Sequence, residues 1–177
     1  MAEGHDPRPR AGERELVLTR TFDAPRALVF RAWTAPEHLR RWFGPRGWTL
    51  TAGTLDFRVG GVWHYCLRGP GGEDVWGRAV YREITPPERL VYTAGFADAA
   101  GNLVEPTRYG MDPDHPREML VTVTFEERDG QTRLTLRVAA GAAPDAEREA
   151  ARWGWGESLD RLAEALADGG SGRRQRS

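Results

Sequence analysis

The chain has 177 residues, of which 40% are hydrophobic, 29% charged and 10% aromatic, and this is the composition of a one-domain globular protein, neither collagen-like nor disordered. A formal net charge of −1 gives no general pull toward nucleic acid or an anionic membrane, and with a mean hydropathy of −0.59 no apolar run nears the roughly 18–20 residues that cross a bilayer. The single cysteine, Cys66, closes no internal disulfide and builds no multi-cysteine zinc site, and since all 25 basic residues are Arg, lysine chemistry is excluded.

Residues 1–14 are polar, rich in Pro and Arg, and lack the apolar core of a secretory signal, so a disordered tail and a cytoplasmic address are expected. Residues 168–177, rich in Gly and Arg, are expected to form a second disordered tail. One domain, residues 15–167, remains, large enough for a core plus a cavity.

Glu15–Phe22 alternates and reads as a strand. Asp23 is placed to cap a short helix with Pro25 in its first turn and Val29, Phe30 and Trp33 on one face. Thr34-Ala-Pro-Glu37 has capping-box spacing for a second helix with Leu39, Trp42 and Phe43 on its apolar side, stopped by Gly44-Pro45. From Trp48 to Val138 the period becomes two, punctuated at Gly60-Gly61, Gly69 to Gly72, Pro86-Pro87 and Asp129-Gly130, which predicts an antiparallel meander. A two-residue Asp129-Gly130 turn pairs Phe125 with Leu134, Val123 with Leu136 and Val121 with Val138 on one dry face, and Glu126 with Arg133 on the wet one. Residues 97–118 interrupt the meander with Pro106, Pro113 and Pro116, as a lid, a binding loop or a disordered excursion would. A closing helix over 145–167 carries Ala151, Trp155, Leu159, Leu162 and Leu166 as one stripe.

The same two-residue rule at Gly60-Gly61 pairs Arg58 with Trp63 and Asp56 with Tyr65, so Asp56, Arg58, Trp63 and Tyr65 share a face. That face reads either as a pocket wall, with a carboxylate and a guanidinium among aromatic rings, or as a structural ion pair beside aromatics. A bulge at the glycines changes the assignment. His64 and Cys66, two apart on the opposite face, fall short of the third and fourth ligands a metal needs, and half-buried packing is the expected fate of both. No nucleophile elbow, Walker loop or His-Glu-x-x-His stretch is present, so the residues offer no catalytic constellation and no cofactor is expected. Gly154 and Gly156 flank Trp155, either slackening the helix over a pocket or allowing close helix–sheet contact.

Several segments carry a family resemblance: Thr19-Arg-Thr-Phe-Asp-Ala-Pro25, Ala32-Trp-Thr-Ala-Pro-Glu-His-Leu39, Arg41-Trp-Phe-Gly-Pro45, Asp56-Phe-Arg-Val-Gly-Gly61, Glu83-Ile-Thr-Pro-Pro-Glu-Arg-Leu-Val91, Val121-Thr-Val-Thr-Phe125 and Gly154-Trp-Gly-Glu-Ser-Leu-Asp-Arg-Leu162. With the element order, they resemble the SRPBCC (START-like) superfamily, and within it the family related to the C-terminal domain of heat-shock protein 90 ATPase activators. Gly156 departs from that family's pattern after Gly154-Trp155. The resemblance implies an α+β helix-grip fold, a curved antiparallel sheet wrapped around a long C-terminal helix with two short helices after the first strand.

It also implies a cavity more than a reaction. The leading expectation is a domain that binds a small hydrophobic or aromatic ligand between the sheet and the Trp155 helix, in stress response or resistance. Asp56, Arg58, Trp63 and Tyr65 would orient the ligand, with Tyr81, Tyr92 and Phe125 as further wall. The alternatives are a polyketide cyclase or aromatase and a co-chaperone-like domain acting on the heat-shock protein 90 ATPase. Eukaryotic activators carry a further N-terminal domain that 14 polar residues do not supply, which counts against the last. Oligomeric state is open, with a homodimer among the options.

Overall fold

A computed structural model describes residues 14–174, so the expected N-terminal tail lies outside the described residues except for Arg14. Seven antiparallel strands form one curved open sheet: β1 (Glu15–Phe22), β2 (Thr49–Leu55), β3 (Val62–Arg68), β4 (Asp74–Thr85), β5 (Arg89–Ala97), β6 (Met119–Arg128) and β7 (Gln131–Ala139). Their spatial order is β1-β7-β6-β5-β4-β3-β2, so the first strand closes one edge against the last, and β2 forms the other edge. Two short helices, α1 (Arg26–Thr34) and α2 (Pro36–Trp42), carry the chain across, and α3 (Asp145–Arg174) packs on the concave face. This is the helix-grip, START-like arrangement.

The Asp129-Gly130 hairpin has the register its sequence dictates: Phe125 faces Leu134, Val123 faces Leu136, Val121 faces Val138 and Glu126 faces Arg133. Both turn residues take positive φ, 53° and 78°, the mirror-image turn whose twist matches the strands it joins. The dry face continues onto β1, where Leu16 pairs with Val138 and Leu18 with Leu136. Register shifts between Leu50 and Ala52 and between Tyr81 and Glu83 bend the opposite half of the sheet.

The helix starts differ from their sequence expectations. Asp23 does not cap α1; Pro25 occupies that position without a side-chain bond, and the orphan N–H of Arg26 is taken up by Glu127 Oε1 of β6 at 3.0 Å. A carboxylate from the neighbouring hairpin replaces the local cap. Nor does Thr34 cap α2: it is still the last residue of α1, its hydroxyl donates back to the Arg31 carbonyl, and Ala35 serves both helices. The C-terminal tail expected from residue 168 is helical as far as Arg174, because extending an existing helix adds a hydrogen bond for each residue ordered, without a new nucleus. Ala151, placed on the apolar stripe by spacing, is exposed; the buried stripe starts at Trp155 and is completed by Leu159 and Leu162, both at 0% exposure.

Three polar contacts lock these elements. Trp42, fully buried, donates from Nε1 to the Ala32 carbonyl at 2.9 Å and ties α2 to α1. Thr132 donates to the Ala24 carbonyl at 2.7 Å and ties β7 to the start of α1. Arg161 of α3 directs Nη1 at the carbonyls of Gly44, Pro45 and Trp48, at 2.7, 3.2 and 3.1 Å, and so holds the loop after α2 against the helix.

Removing that clamp leaves carbonyl groups without a donor, so Arg161→Met is expected to cost about 2–3 kcal/mol in urea denaturation; a loss within error of zero would show that water replaces it. At Gly154 a Cβ would meet only Pro45 Cγ at 3.6 Å, and at Gly156 only Arg20 Nη2 at 3.7 Å, both ordinary contacts. Close packing therefore demands glycine at neither position, and Gly154→Ala is expected to stabilise the protein by about 1 kcal/mol through helix propensity, readable as a higher Tm.

Candidate functional site

Around the glycines, residues 56–61 form a six-residue loop, and β2 and β3 pair Leu55 with Trp63 and Gly53 with Tyr65. Gly60 and Gly61 are used otherwise: Gly60 N–H donates to the Tyr81 carbonyl, and Tyr81 N–H donates to the Gly61 carbonyl. A Cβ on Gly61 would stand 2.0 Å from the Asp56 carbonyl, so only glycine permits this fold-back. The loop turns Phe57 inward, against Phe30 at 6.5 Å and Tyr81 at 5.2 Å. Burying that ring outweighs the tight turn that periodicity suggests.

Asp56 and Arg58 are therefore corrected. They lie in the loop rather than on a strand face, pair with each other at 2.8 Å, and are exposed, at 53% and 71% of their side chains. The other six candidates come together or lie along one connected set of rings on the concave side. Trp63 and Tyr65 of β3 point toward the helices, where Phe43 meets them at 4.8 and 5.3 Å. Trp155 of α3 lies 6.0 Å from Phe43 and stacks on Trp33 at 5.9 Å. The contacts continue through Phe125, Phe30 and Phe57 to Tyr81, and Tyr81 faces its cross-strand partner Tyr92 at 6.1 Å.

Between the Tyr65 end and the Tyr81–Tyr92 end, the concave positions of β4 and β5 are Ala79 and Ala94, a floor of small residues, with Gly77 and its partner Phe96 at the level of Tyr65. Tyr65 lies flat across Gly77, where a Cβ would stand 2.3 Å from its Cζ and 2.4 Å from its hydroxyl oxygen. Isolated glycine in a strand pattern is the one sequence signal that marks this close approach. Tyr81 and Tyr92 are 2% and 6% exposed. None of the three hydroxyls has a hydrogen-bond partner among the described residues, yet none is fully buried, whereas Trp33 Nε1 is fully buried without a partner. Burial pushes the Tyr65 phenol up to about 12 and those of Tyr81 and Tyr92 further, each of the latter also raised by its phenolic neighbours. All three are neutral donors at physiological pH.

The concave positions of β3 to β6 carry no guanidinium, imidazole or thiol, and their one carboxylate, Glu127 near the end of β6, is the one that accepts from Arg26 N–H. Arg20 of β1 shares the concave side, and Asp160 of α3 engages it while its Nη2 reaches the Gly156 carbonyl at 3.3 Å. His64 and Cys66 sit on the convex side. His64 stacks on Trp76 at 4.8 Å with Nε2 2.9 Å from the Asp98 carbonyl, and burial raises the buried Cys66 thiol, which keeps it protonated and inert. Among the described residues no cluster of three His, Cys, Asp or Glu is placed to hold a metal ion, and no helix is long and apolar enough to cross a membrane.

The segment after β5 is ordered. Tyr109, in a short 3-10 helix over Pro106–Tyr109, donates to the Ala97 carbonyl at 2.6 Å and lies 5.1 Å from Phe96. His115 places Nδ1 3.0 Å from Glu147 of α3, whose other oxygen accepts from Asp112 N–H at 2.9 Å. The loop therefore bridges the end of the sheet and the first turns of α3. The sequence reading missed Phe43, Trp33, Phe30 and Phe57 as wall residues, since all looked like ordinary helix or strand core.

Comparison with known proteins agrees with this architecture. Residues 23–167 match the model of the family described as activator of Hsp90 ATPase homolog 1-like protein. A solution structure from Arthrobacter aurescens is similar at 27% identity and TM-score 0.74, over 87% of this chain and 86% of that one. A crystal structure from Chromobacterium violaceum is 28% identical with TM-score 0.70, covering 85% and 94%. The AHSA1 protein from Silicibacter pomeroyi shares the fold at 23% identity, with TM-score 0.69 and coverage of 87% and 98%. No match is found among the curated proteins.

Because the buried phenols are raised in the folded state, their contribution to stability is complete below the ordinary tyrosine value near 10 and is lost as pH rises through the folded values. Absorbance titration at 295 nm should show phenolate from Tyr65 only near pH 12, and stability should fall from about pH 10 upward as the unfolded chain ionises first. Ionisation of all four tyrosines together near pH 10 would contradict the burial of this cluster.

Proposed function

We propose that this chain, which belongs to the activator of Hsp90 ATPase homolog 1-like family, binds a small aromatic or apolar molecule against the concave face of its sheet, between the floor of Ala79 and Ala94 and the rings of Phe43 and Trp155. One observation carries the reading. Three tyrosine hydroxyls lie among aromatic rings with no partner in the described protein. None of the three oxygens is among the fully buried unpaired atoms, so each keeps contact with open space and a guest reaches it without breaking a hydrogen bond within the described protein. A bound molecule that accepts their hydrogen bonds would take the place that water otherwise fills.

The rest of the wall suits such a guest. Aromatic rings supply large apolar area with few rotatable bonds, so ordering them costs little on binding. Apart from the phenols, the titratable group on the concave positions of β3 to β6 is Glu127, which is engaged by the Arg26 N–H, and this favours carriage over acid–base chemistry, which needs a general acid and base poised near neutral pH.

Native mass spectrometry of freshly purified protein, followed by thermal denaturation against aromatic and lipidic compounds, tests this. A co-purifying small molecule or a saturable rise in Tm, growing as RT ln(1 + [L]/Kd), is the expected result. In a folded Trp63→Leu/Trp155→Leu variant the affinity should fall at least about tenfold. Unchanged affinity there would move the site elsewhere, and a clean apo mass with no shift across the panel would favour a protein-binding role.

A further inference from the structure

A second recess, of about 200 Å³, lies among the three helices. No strand residue lines it, so it is distinct from the concave face of the sheet. We infer that it binds a small monocarboxylic acid with a short apolar tail, of the medium-chain fatty acid type, with the tail between α1 and α3 and the carboxylate at Arg41 and His38 of α2. This site stands or falls independently of the binding reading above.

The shape provides for the tail. Ala32, Trp42 and Leu162 lie beneath the recess, all buried, and half-buried Leu28, Ala165 and Leu166 form its walls. A hydrocarbon chain entering here would remove the water from those walls, which is favourable in proportion to the apolar area covered. The volume falls below the roughly 300–1,000 Å³ of pockets that take drug-sized ligands, so the guest is short. A docking helix needs a row of anchor pockets along a groove, and a single recess offers one.

Charge decides the head group. Arg41 and His38 border the recess, and no acidic residue lines it. Neither has a hydrogen-bond or ion-pair partner among the described residues. Other arginines on or against α3 are engaged: Arg20 by Asp160, Arg46 by Glu164, Arg148 by Asp145 and Arg161 by three carbonyls. A guanidinium presents a fork of donors that matches a carboxylate, and an imidazole keeps a ring N–H in either charge state. One fixed cation beside one such donor suits a single negative charge. Arg41 is exposed, so the ion pair adds only modestly to affinity. The tail therefore supplies most of the binding, and the rim selects the sign of the head.

Octanoate and octylammonium share a tail and differ in the sign of the head, and isothermal titration calorimetry on the full chain separates them. Octanoate should bind one to one, with octylammonium at least about tenfold weaker. Arg41→Gln should weaken octanoate by about two- to fivefold. Gly169 also borders the recess, and a Cβ there would meet no atom of the described protein within 4 Å. Gly169→Leu therefore introduces a better helix former into open space and should keep the wild-type Tm or raise it. That variant, and Ala165→Leu one turn earlier, should each weaken octanoate at least about tenfold by filling the recess. The Trp63→Leu/Trp155→Leu variant should leave octanoate binding unchanged, and loss of binding there would overturn this inference by placing the acid on the concave face. Octylammonium binding as tight as octanoate would overturn it, as would undiminished octanoate binding in both filled variants or no octanoate binding at all. A dimer seen by sedimentation in the wild type and dissociated by Gly169→Leu would also overturn it, by giving the recess to a second copy of the chain.

Discussion

Two arginines set the height of α3 above the sheet. Arg20, rising from the concave side of β1, engages Asp160 and the carbonyl of Gly156, while Arg161 leaves the helix to gather the carbonyls of Gly44, Pro45 and Trp48. A curved open sheet with one dry face has to be covered, and here a single helix supplies most of the cover through Leu159 and Leu162. Apolar contact pulls the helix down without choosing its position along the sheet, because burial is non-directional. Charge-assisted hydrogen bonds choose it, because they hold only at particular distances and angles.

With the helix so placed, the residues around Phe43 gain a double role. The loop that Arg161 clamps also positions Phe43, which links Trp155 of the helix to Trp63 and Tyr65 of the sheet. A structural clamp and a wall of the proposed binding face are thus coupled through a few consecutive residues. At the opposite end of the helix, the His115–Glu147 contact and the Asp112 amide join the segment after β5 to the first turns of α3. Both ends of α3 therefore hold loops that border the concave side.

The concave face is also where local stability and fitness for binding diverge. Tyr81 and Tyr92 carry hydroxyls without a partner among the described residues, where phenylalanine would fill the same space, and alanine is sterically acceptable at Gly154. Local departures from the most stable choice gather at functional surfaces in folded proteins. Here they fall on both sides of the same interior, the sheet floor and the helix above it.

Much of the architecture was legible from sequence because it rests on local rules. The limits of β1, the register of the β6–β7 hairpin and the order of elements follow from alternation and turn chemistry, which act between residues a few positions apart. The same rules fell short at Gly60-Gly61, where burial of Phe57 against Phe30 and Tyr81 from other elements outweighs the short turn and carries Asp56 and Arg58 out to solvent. They fell short at the helix starts too, where Glu127 from a distant hairpin caps α1 in place of Asp23. By itself the sequence determined the α+β class, the family and the wet and dry faces of the β6–β7 hairpin, since each is written in spacing or motif. Only the tertiary structure decided which rings meet, that Gly77 makes room for Tyr65, and that three hydroxyls end without partners, because side-chain reach across strands depends on curvature and on neighbours far away in the chain.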